Sequence, residues 1–298
     1  MAVPNPVMLV MGDSVMWGQG LDDDNKFSSL AYDQLSYKYP DLQGPVMLAH
    51  SGAKIGNGDT STWPALPGEV PASGPTILDQ CDQYADPSSV RVILIDGGIN
   101  DVDIRLFLNP TTTPASLECR IIQYCHDDMK VLLQKVAKRF SHPDCKIVVL
   151  GYFPILSKNS NPLCVPALLK ARGIDNADEL MLSAAAVSDP RDLAIQFWQQ
   201  SDSNLRAAVK DAGDSRITYV LPPFQEQNAL FESDPCLWGL DILAGLAPED
   251  QVVDQRREEC VRLVPAPLDC QECIRASVGH PNATGALKYC EAVMSAFP

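Results

Sequence analysis

The chain has 298 residues, 46% of them hydrophobic and 20% charged, which is ordinary for a globular protein and long enough to bury a sizeable core. Its net charge of −15 repels phosphate backbones and anionic membranes, which excludes nucleic acid as the expected partner. No apolar run reaches the roughly 18 to 20 residues that span a bilayer, so no integral membrane segment is expected.

Val7-Met8-Leu9-Val10-Met11 is an unbroken apolar run, the pattern of a strand buried on both faces of a parallel sheet. It leads straight into Gly12-Asp13-Ser14. Glycine permits a tight turn there, and the carboxyl ends of such strands are where open α/β sheets bind ligands. Taken alone, Asp-Ser after a strand is better explained by a helix cap. Phe27, Leu30, Ala31 and Leu35 recur at helical spacing between Lys26 and Tyr39, and Pro40 ends that helix. Pro45 to Ala49 reads as the second strand and leads into Ser51-Gly52-Ala53.

Residues 56–76, rich in Gly, Pro, Ser and Thr, read as a long loop carrying Trp63. Val90 to Ile95 is the third strand, followed at once by Asp96-Gly97-Gly98-Ile99-Asn100-Asp101. Ser116 to Phe140 reads as a long amphipathic helix whose buried stripe is Leu117, Ile121, Ile122, Met129, Leu132, Leu133 and Val136. A fourth strand is expected over 146–153, short helices over 163–171 and 177–186, a longer helix over 191–211, and a fifth strand over 216–221. Residues 224–279 show no clear period, and Asn282 to Phe297 reads as a final helix.

Strands alternating with helices predict a parallel sheet covered on both faces. Residues 1–298 are expected to form one domain with insertions at about 157–190 and 224–279. Ten cysteines, four of them between 260 and 290, predict several disulfides in an oxidising compartment. The first residues lack the basic-then-apolar pattern of a secretory leader, which points instead to the cytoplasm, so the compartment stays open. Cys270-x-x-Cys273 has no second pair to complete a zinc site and reads as a disulfide or free thiols.

In a parallel sheet the loops after the first three strands converge on one edge. That gathers Ser14, Gly52 and Asn100, and Gly279-His280-Pro281-Asn282 stands just before the last helix. Acyl transfer needs a hydroxyl nucleophile, a base within reach and donors for the developing oxyanion. Ser14 supplies the hydroxyl, and His280 is a base that is mostly neutral at pH 7. The N–H groups of Ser14 and Gly52 and the side-chain amide of Asn100 are the candidate donors. His50, His126 and His142 have no comparable partner motif. Asn282-Ala283-Thr284 is also a glycosylation sequon, two residues from His280.

These residues resemble the SGNH (GDSL-like) hydrolase family, named for Ser, Gly, Asn and His in separate blocks. Gly12-Asp13-Ser14 with Gly18 is similar to the first block, Ser51-Gly52-Ala53 to the second, and Gly98-x-Asn100-Asp101 to the third. His280-Pro281-Asn282 with Gly285 and Tyr289 is similar to the last. The blocks come in family order and span nearly the whole chain. The resemblance implies a flavodoxin-like three-layer sandwich with a five-stranded parallel sheet of order 2-1-3-4-5. It implies a serine esterase or lipase working through an acyl-enzyme, with no metal or organic cofactor and a small-molecule ester, lipid-like for a lipase, as partner. Ser14 would be the nucleophile, His280 the base, and Ser14, Gly52 and Asn100 the oxyanion hole of a monomer.

One position departs from the pattern: Ser277 stands where the family has an Asp, three residues before the His. The His280 ring must then be oriented by a backbone carbonyl near Ser277 or by another carboxylate such as Asp269, and a Ser-His dyad is the expectation. The same departure supports an inactive binding protein on a hydrolase scaffold as the alternative, beside an esterase for acetylated sugars. Trp63, Leu66, Phe231, Leu237 and Trp238 are the apolar residues expected to line the acyl and alcohol pockets.

Overall fold

The computed structural model describes residues 5–174, 176–183, 186–240, 250–264 and 267–298, without the side chains of 178 and 267–269. The apolar runs form the strands β1 (Val7–Met11), β2 (Gln43–Met47), β3 (Val90–Ile95), β4 (Lys146–Leu150) and β5 (Ile217–Val220). All pairings are parallel and the spatial order is β2-β1-β3-β4-β5. The central strands are buried on both faces, which is why they read as continuous apolar sequence. β1 and β3 are in register at their carboxyl ends, with Met11 opposite Ile95. The segments that follow them, Gly12-Asp13-Ser14 and Asp96 to Asp101, therefore leave the sheet side by side.

Helices cover both faces. Phe27–Lys38 packs against Ala283–Ser295 in one layer, and Ile77–Gln83, Met129–Arg139 and Pro190–Ala212 pack in succession in the other. One core cluster runs from Met8 to Phe297.

Several expectations are corrected. β2 ends at Met47 instead of Ala49, because Leu48 and Ala49 both donate their N–H groups to the Val10 carbonyl and end the ladder. The helix expected over 116–140 starts at Pro114, behind the capping hydroxyl of Thr113, and is π-helical over Ile122–Asp128. The wider turn takes Ile122 out of the buried stripe and leaves it exposed. Ile77–Gln83 is an additional helix, opened by the Thr76–Asp79 capping box.

The segment 224–279 contains the helices Val253–Leu263 and Pro267–Ile274. The first shows no apolar period because its buried residues are Arg256 and Cys260. Among the described residues there is one disulfide, Cys260–Cys273, which ties these helices together; the other eight cysteines are free, so the expected set of several bridges reduces to one.

Candidate active site

The first corner is built on Gly12, whose φ is 143°; a Cβ there would lie 2.1 Å from Asp96 Oδ1 and 2.4 Å from Met16 Cγ. The Gln80 amide clamps this glycine, accepting its N–H at 2.8 Å and donating to its carbonyl at 3.0 Å. Asp13 caps the short helix Ser14–Trp17, with Oδ1 accepting the Val15 N–H at 2.8 Å. Its Oδ2 accepts the Tyr152 hydroxyl at 2.8 Å, and its N–H donates to Asp96 Oδ1 at 2.9 Å. Burial first, and the neighbouring Asp13 charge second, hold the Asp96 carboxyl well above the usual carboxylate range. Ser14 is thus carried on a rigid, fully tethered turn at the carboxyl edge of the sheet.

The second corner carries His280. Nε2 lies 2.7 Å from Ser14 Oγ, and Nδ1 lies 3.2 Å from the Ser277 carbonyl oxygen. That carbonyl can only accept, so the network assigns the proton to Nδ1 and the lone pair of Nε2 to the serine. Burial, and after it the Arg172 guanidinium, push the His280 pKa down to about 3, which leaves the ring neutral and able to take a proton. Trp238 fixes the backbone, donating its N–H to the His280 carbonyl at 2.8 Å and accepting the Gly279 N–H at 2.8 Å. The Asn282 side chain caps the last helix, accepting the Gly285 N–H at 3.1 Å. Asp269, the other group considered for orienting the ring, has its side chain outside the described residues.

The third element is a set of donors. Among the described residues neither the Ser14 N–H nor the Gly52 N–H donates a hydrogen bond within the protein. Asn100 gives one N–H to the Ala53 carbonyl at 2.9 Å, which orients its amide and leaves the second N–H available. Gly52 has φ 78°, and its place is set by Ser51, which donates to Gly68 and accepts from Ala72, both at 2.9 Å.

Some supporting residues escaped the sequence reading. Asp101 accepts the Ile55 N–H at 3.0 Å and so binds the second block to the third; burial pushes its pKa up to about 6. Arg120 donates to the carbonyls of Asp101 and Val102 at 2.6 and 2.9 Å, holding the Asn100 turn against the helix that contains the π segment. Only Asp101 had a sequence signal, as a member of the third block.

Ser14, Gly52, Asn100 and His280 all line one cavity of about 400 Å³. Its walls come partly from the segments expected, 56–76, 157–190 and 224–279, and partly from Lys54, the 103–105 turn and the segment after β4, but not from the residues expected. They combine apolar Phe153 and Ile155 with charged Lys54, Arg105, Arg172 and Glu272. Trp63 and Leu66 line a different cavity of about 330 Å³ beside His50, and Phe231, Leu237 and Trp238 line neither. Leu237 is buried in the main core, and Phe231 and Trp238 pack half-buried against it. Among the described residues no group of three His, Cys, Asp or Glu side chains is placed to hold a metal ion, and no helix is long and apolar enough to cross a membrane.

No protein-family model and no curated protein matches this sequence. Among solved structures, similarity extends to a candidate GDSL-like lipase from Parabacteroides merdae, at 14% identity and a TM-score of 0.43, covering 99% of this chain and 97% of that one. A lipase from a goat rumen metagenome matches at 12% identity and TM-score 0.39 over 72% of this chain and 80% of its own. An acetyl xylan esterase variant from Geobacillus stearothermophilus matches at 13% identity and TM-score 0.30 over 70% and 95%. At these values the likenesses carry no argument about chemistry. The parallel sheet of order 2-1-3-4-5 with helices on both faces makes this chain a flavodoxin-like three-layer sandwich, and Ser14, Gly52, Asn100 and His280 are gathered around one cavity at its carboxyl edge.

Proposed function

We propose that the chain is a serine hydrolase that cleaves carboxylic esters through an acyl-enzyme, with Ser14 as nucleophile and His280 as base. The observation that carries this reading is the 2.7 Å contact between His280 Nε2 and Ser14 Oγ, on the wall of a cavity that Gly52 and Asn100 also line. Ser14 Oγ attacks the ester carbonyl carbon while Nε2 takes its proton. The oxyanion receives the N–H groups of Ser14, Gly52 and Asn100. When the intermediate collapses, the C–O bond to the leaving alcohol breaks and Nε2–H protonates that alcohol. Water then attacks the acyl-Ser14 ester by the same steps in reverse roles, and a carboxylic acid leaves. Residues 1–298 act as one decorated domain, a reading supported by the core cluster that runs from Met8 to Phe297, beside which the described residues form a small satellite cluster around Cys260–Cys273.

The charged side chains of Lys54, Arg105, Arg172 and Glu272 favour a short or polar ester over a long alkyl chain, which keeps acetylated sugars as the second substrate class. Hydrolysis of p-nitrophenyl esters from acetate to palmitate, beside acetylated sugars, tests both. The expected optimum is at the short esters, and Ser14→Ala and His280→Ala each lose roughly 10⁴- to 10⁶-fold in kcat. No turnover on any of these, together with no labelling of Ser14 by a fluorophosphonate, would leave the binding-protein alternative.

A further inference from the structure

Ser277 fills the position where the family resemblance places an acid, and its hydroxyl is tied to one. Ser277 Oγ donates to Asp250 Oδ2 at 2.5 Å and accepts from Arg256 Nη2 at 3.1 Å. Arg256, with no exposed side-chain surface, pairs directly with Asp250 through Nη2 and with Glu69 through Nη1 at 2.6 Å, while its Nε donates to the Ile274 carbonyl at 2.9 Å. Glu69 in turn accepts from Trp17 Nε1 at 2.6 Å, from Gln19 Nε2 at 2.8 Å and from the Gly20 N–H at 3.0 Å. The turn that follows Ser14 and the residue whose carbonyl accepts from His280 therefore hang on one buried guanidinium.

Stability alone does not account for this cluster. Two carboxylates and one guanidinium are costly to bury, and well-packed apolar residues of the same volume generally stabilise a fold at least as well. What apolar residues cannot do is fix a hydroxyl, and through it a carbonyl, in one direction. The His280 ring has no charged group on Nδ1, so its tautomer and its aim at Ser14 depend on where the Ser277 carbonyl points.

We propose that Asp250 is a positioning residue for His280, acting through Ser277, with Arg256 and Glu69 holding it in place and coupling it to the Ser14 turn. The inference rests on the Ser14–His280 dyad proposed above. Asp250 does not touch the imidazole, and Arg256 offsets its charge. Its contribution is geometric: it anchors Ser277 Oγ, which sets the carbonyl that receives Nδ1–H, which leaves Nε2 facing Oγ of Ser14.

The test uses the full chain with Ser277→Ala, Ser277→Thr, Asp250→Asn and the Ser277→Ala/Asp250→Asn double variant. Three quantities are read: kcat and KM on p-nitrophenyl acetate, the rate at which a fluorophosphonate labels Ser14, and the ¹⁵N imidazole shifts of His280, assigned with His280→Gln. Ser277→Ala is expected to lower kcat and the labelling rate by about 10- to 100-fold with KM nearly unchanged, as loss of an outer hydrogen-bond partner does elsewhere. It should also turn a single Nδ1–H tautomer into a mixture. Ser277→Thr, which keeps the hydroxyl, restores the wild-type values. The double variant falls no further than the worse single one, because both act on one path. An unchanged kcat and tautomer in Ser277→Ala, or losses that simply add, would overturn the proposal. If Asp250→Asn does not fold, the Ser277→Ala and Ser277→Thr pair decides. A wild type that neither turns over esters nor labels, yet loses its single tautomer in Ser277→Ala, overturns the hydrolase reading and keeps the positioning one.

Discussion

Gly52 and Gly58 share a backbone conformation, with φ of 78° and 80°, but not a neighbourhood. A Cβ on Gly58 would meet nothing within 4 Å, whereas one on Gly52 would lie 2.7 Å from the Ala72 nitrogen and 2.8 Å from its oxygen. Substituting alanine at either place imposes the left-handed strain, about 1 to 2 kcal/mol. At Gly52 the clash is with main chain, so the two loop segments must part by about 0.7 Å to reach the 3.4 Å at which ordinary contact begins, adding roughly 1 to 3 kcal/mol. That movement drags the Gly52 N–H away from the oxyanion position.

Misplacement by about 1 Å, or loss of one oxyanion donor, costs about 10²- to 10³-fold in rate. Gly52→Ala is therefore expected to unfold at clearly lower denaturant than Gly58→Ala and to lose about two to three orders of magnitude in kcat, while Gly58→Ala keeps its activity. Urea titrations and ester turnover on both variants measure the two effects separately. Equal stability losses would refute the packing argument. Full activity in a folded Gly52→Ala would remove Gly52 from the oxyanion hole.

Asn100→Ala should lower kcat by about 10²- to 10³-fold with little change in KM, and steady-state kinetics on p-nitrophenyl acetate checks it. His280, with its pKa held at about 3 against 6.5 in the unfolded chain, keeps its base form well into acid. The acid limb of kcat/KM should accordingly lie far below pH 6.5, and a limb at 6.5 would show that the ring is hydrated. The same depressed pKa has a sign for stability: this contribution is fully present above pH 6.5 and is lost as pH falls from 6.5 toward 3, which melting at a series of pH values will register. Reduction of Cys260–Cys273, which spans 13 residues, should lower stability by about 3 kcal/mol and soften the wall of the cavity to which Cys273 belongs, read as a drop in denaturation midpoint under reductant.

The strands β1, β3 and β4 were legible because burial on both faces leaves an apolar run with no alternation to misread. β2, an edge strand with half-buried residues, carries a weaker pattern, and its bounds moved. Ser14, Gly52 and Asn100 could be grouped from the sequence because a parallel sheet brings its strand ends together whatever separates them in sequence, whereas His280, which precedes the last helix, was reached through the family resemblance; all four line one cavity. The orienting group on His280 could be narrowed to a backbone carbonyl near Ser277 or a carboxylate such as Asp269 and no further, since a main-chain carbonyl has no signature of its own; the structure places the Ser277 carbonyl there. Asp250 was hidden for a different reason. It lies 27 positions before Ser277, and its partner Arg256 sits at the buried face of a helix whose sequence looks like a solvated one. The cavity walls were misassigned because an aromatic side chain in a loop says that it will be covered, not by what; Trp63 is covered away from the site.

The bonds of Asn282 bear on how the chain can be made. Its Nδ2 donates to the carbonyls of Pro235 and Leu237 at 3.2 and 3.4 Å, and its Oδ1 starts the last helix. N-glycosylation attaches sugar at that same nitrogen, and Asn282-Ala283-Thr284 has the tripeptide pattern it requires. A sugar added to the emerging polypeptide would stand between Asn282 and the 235–237 segment, and the clip that Trp238 makes with His280 could not close. Order of events during biosynthesis then matters: protein from a host that glycosylates before folding is expected to be less active than protein from a host without that machinery, or than an Asn282→Asp chain that keeps the cap, and ester turnover of the three preparations checks it.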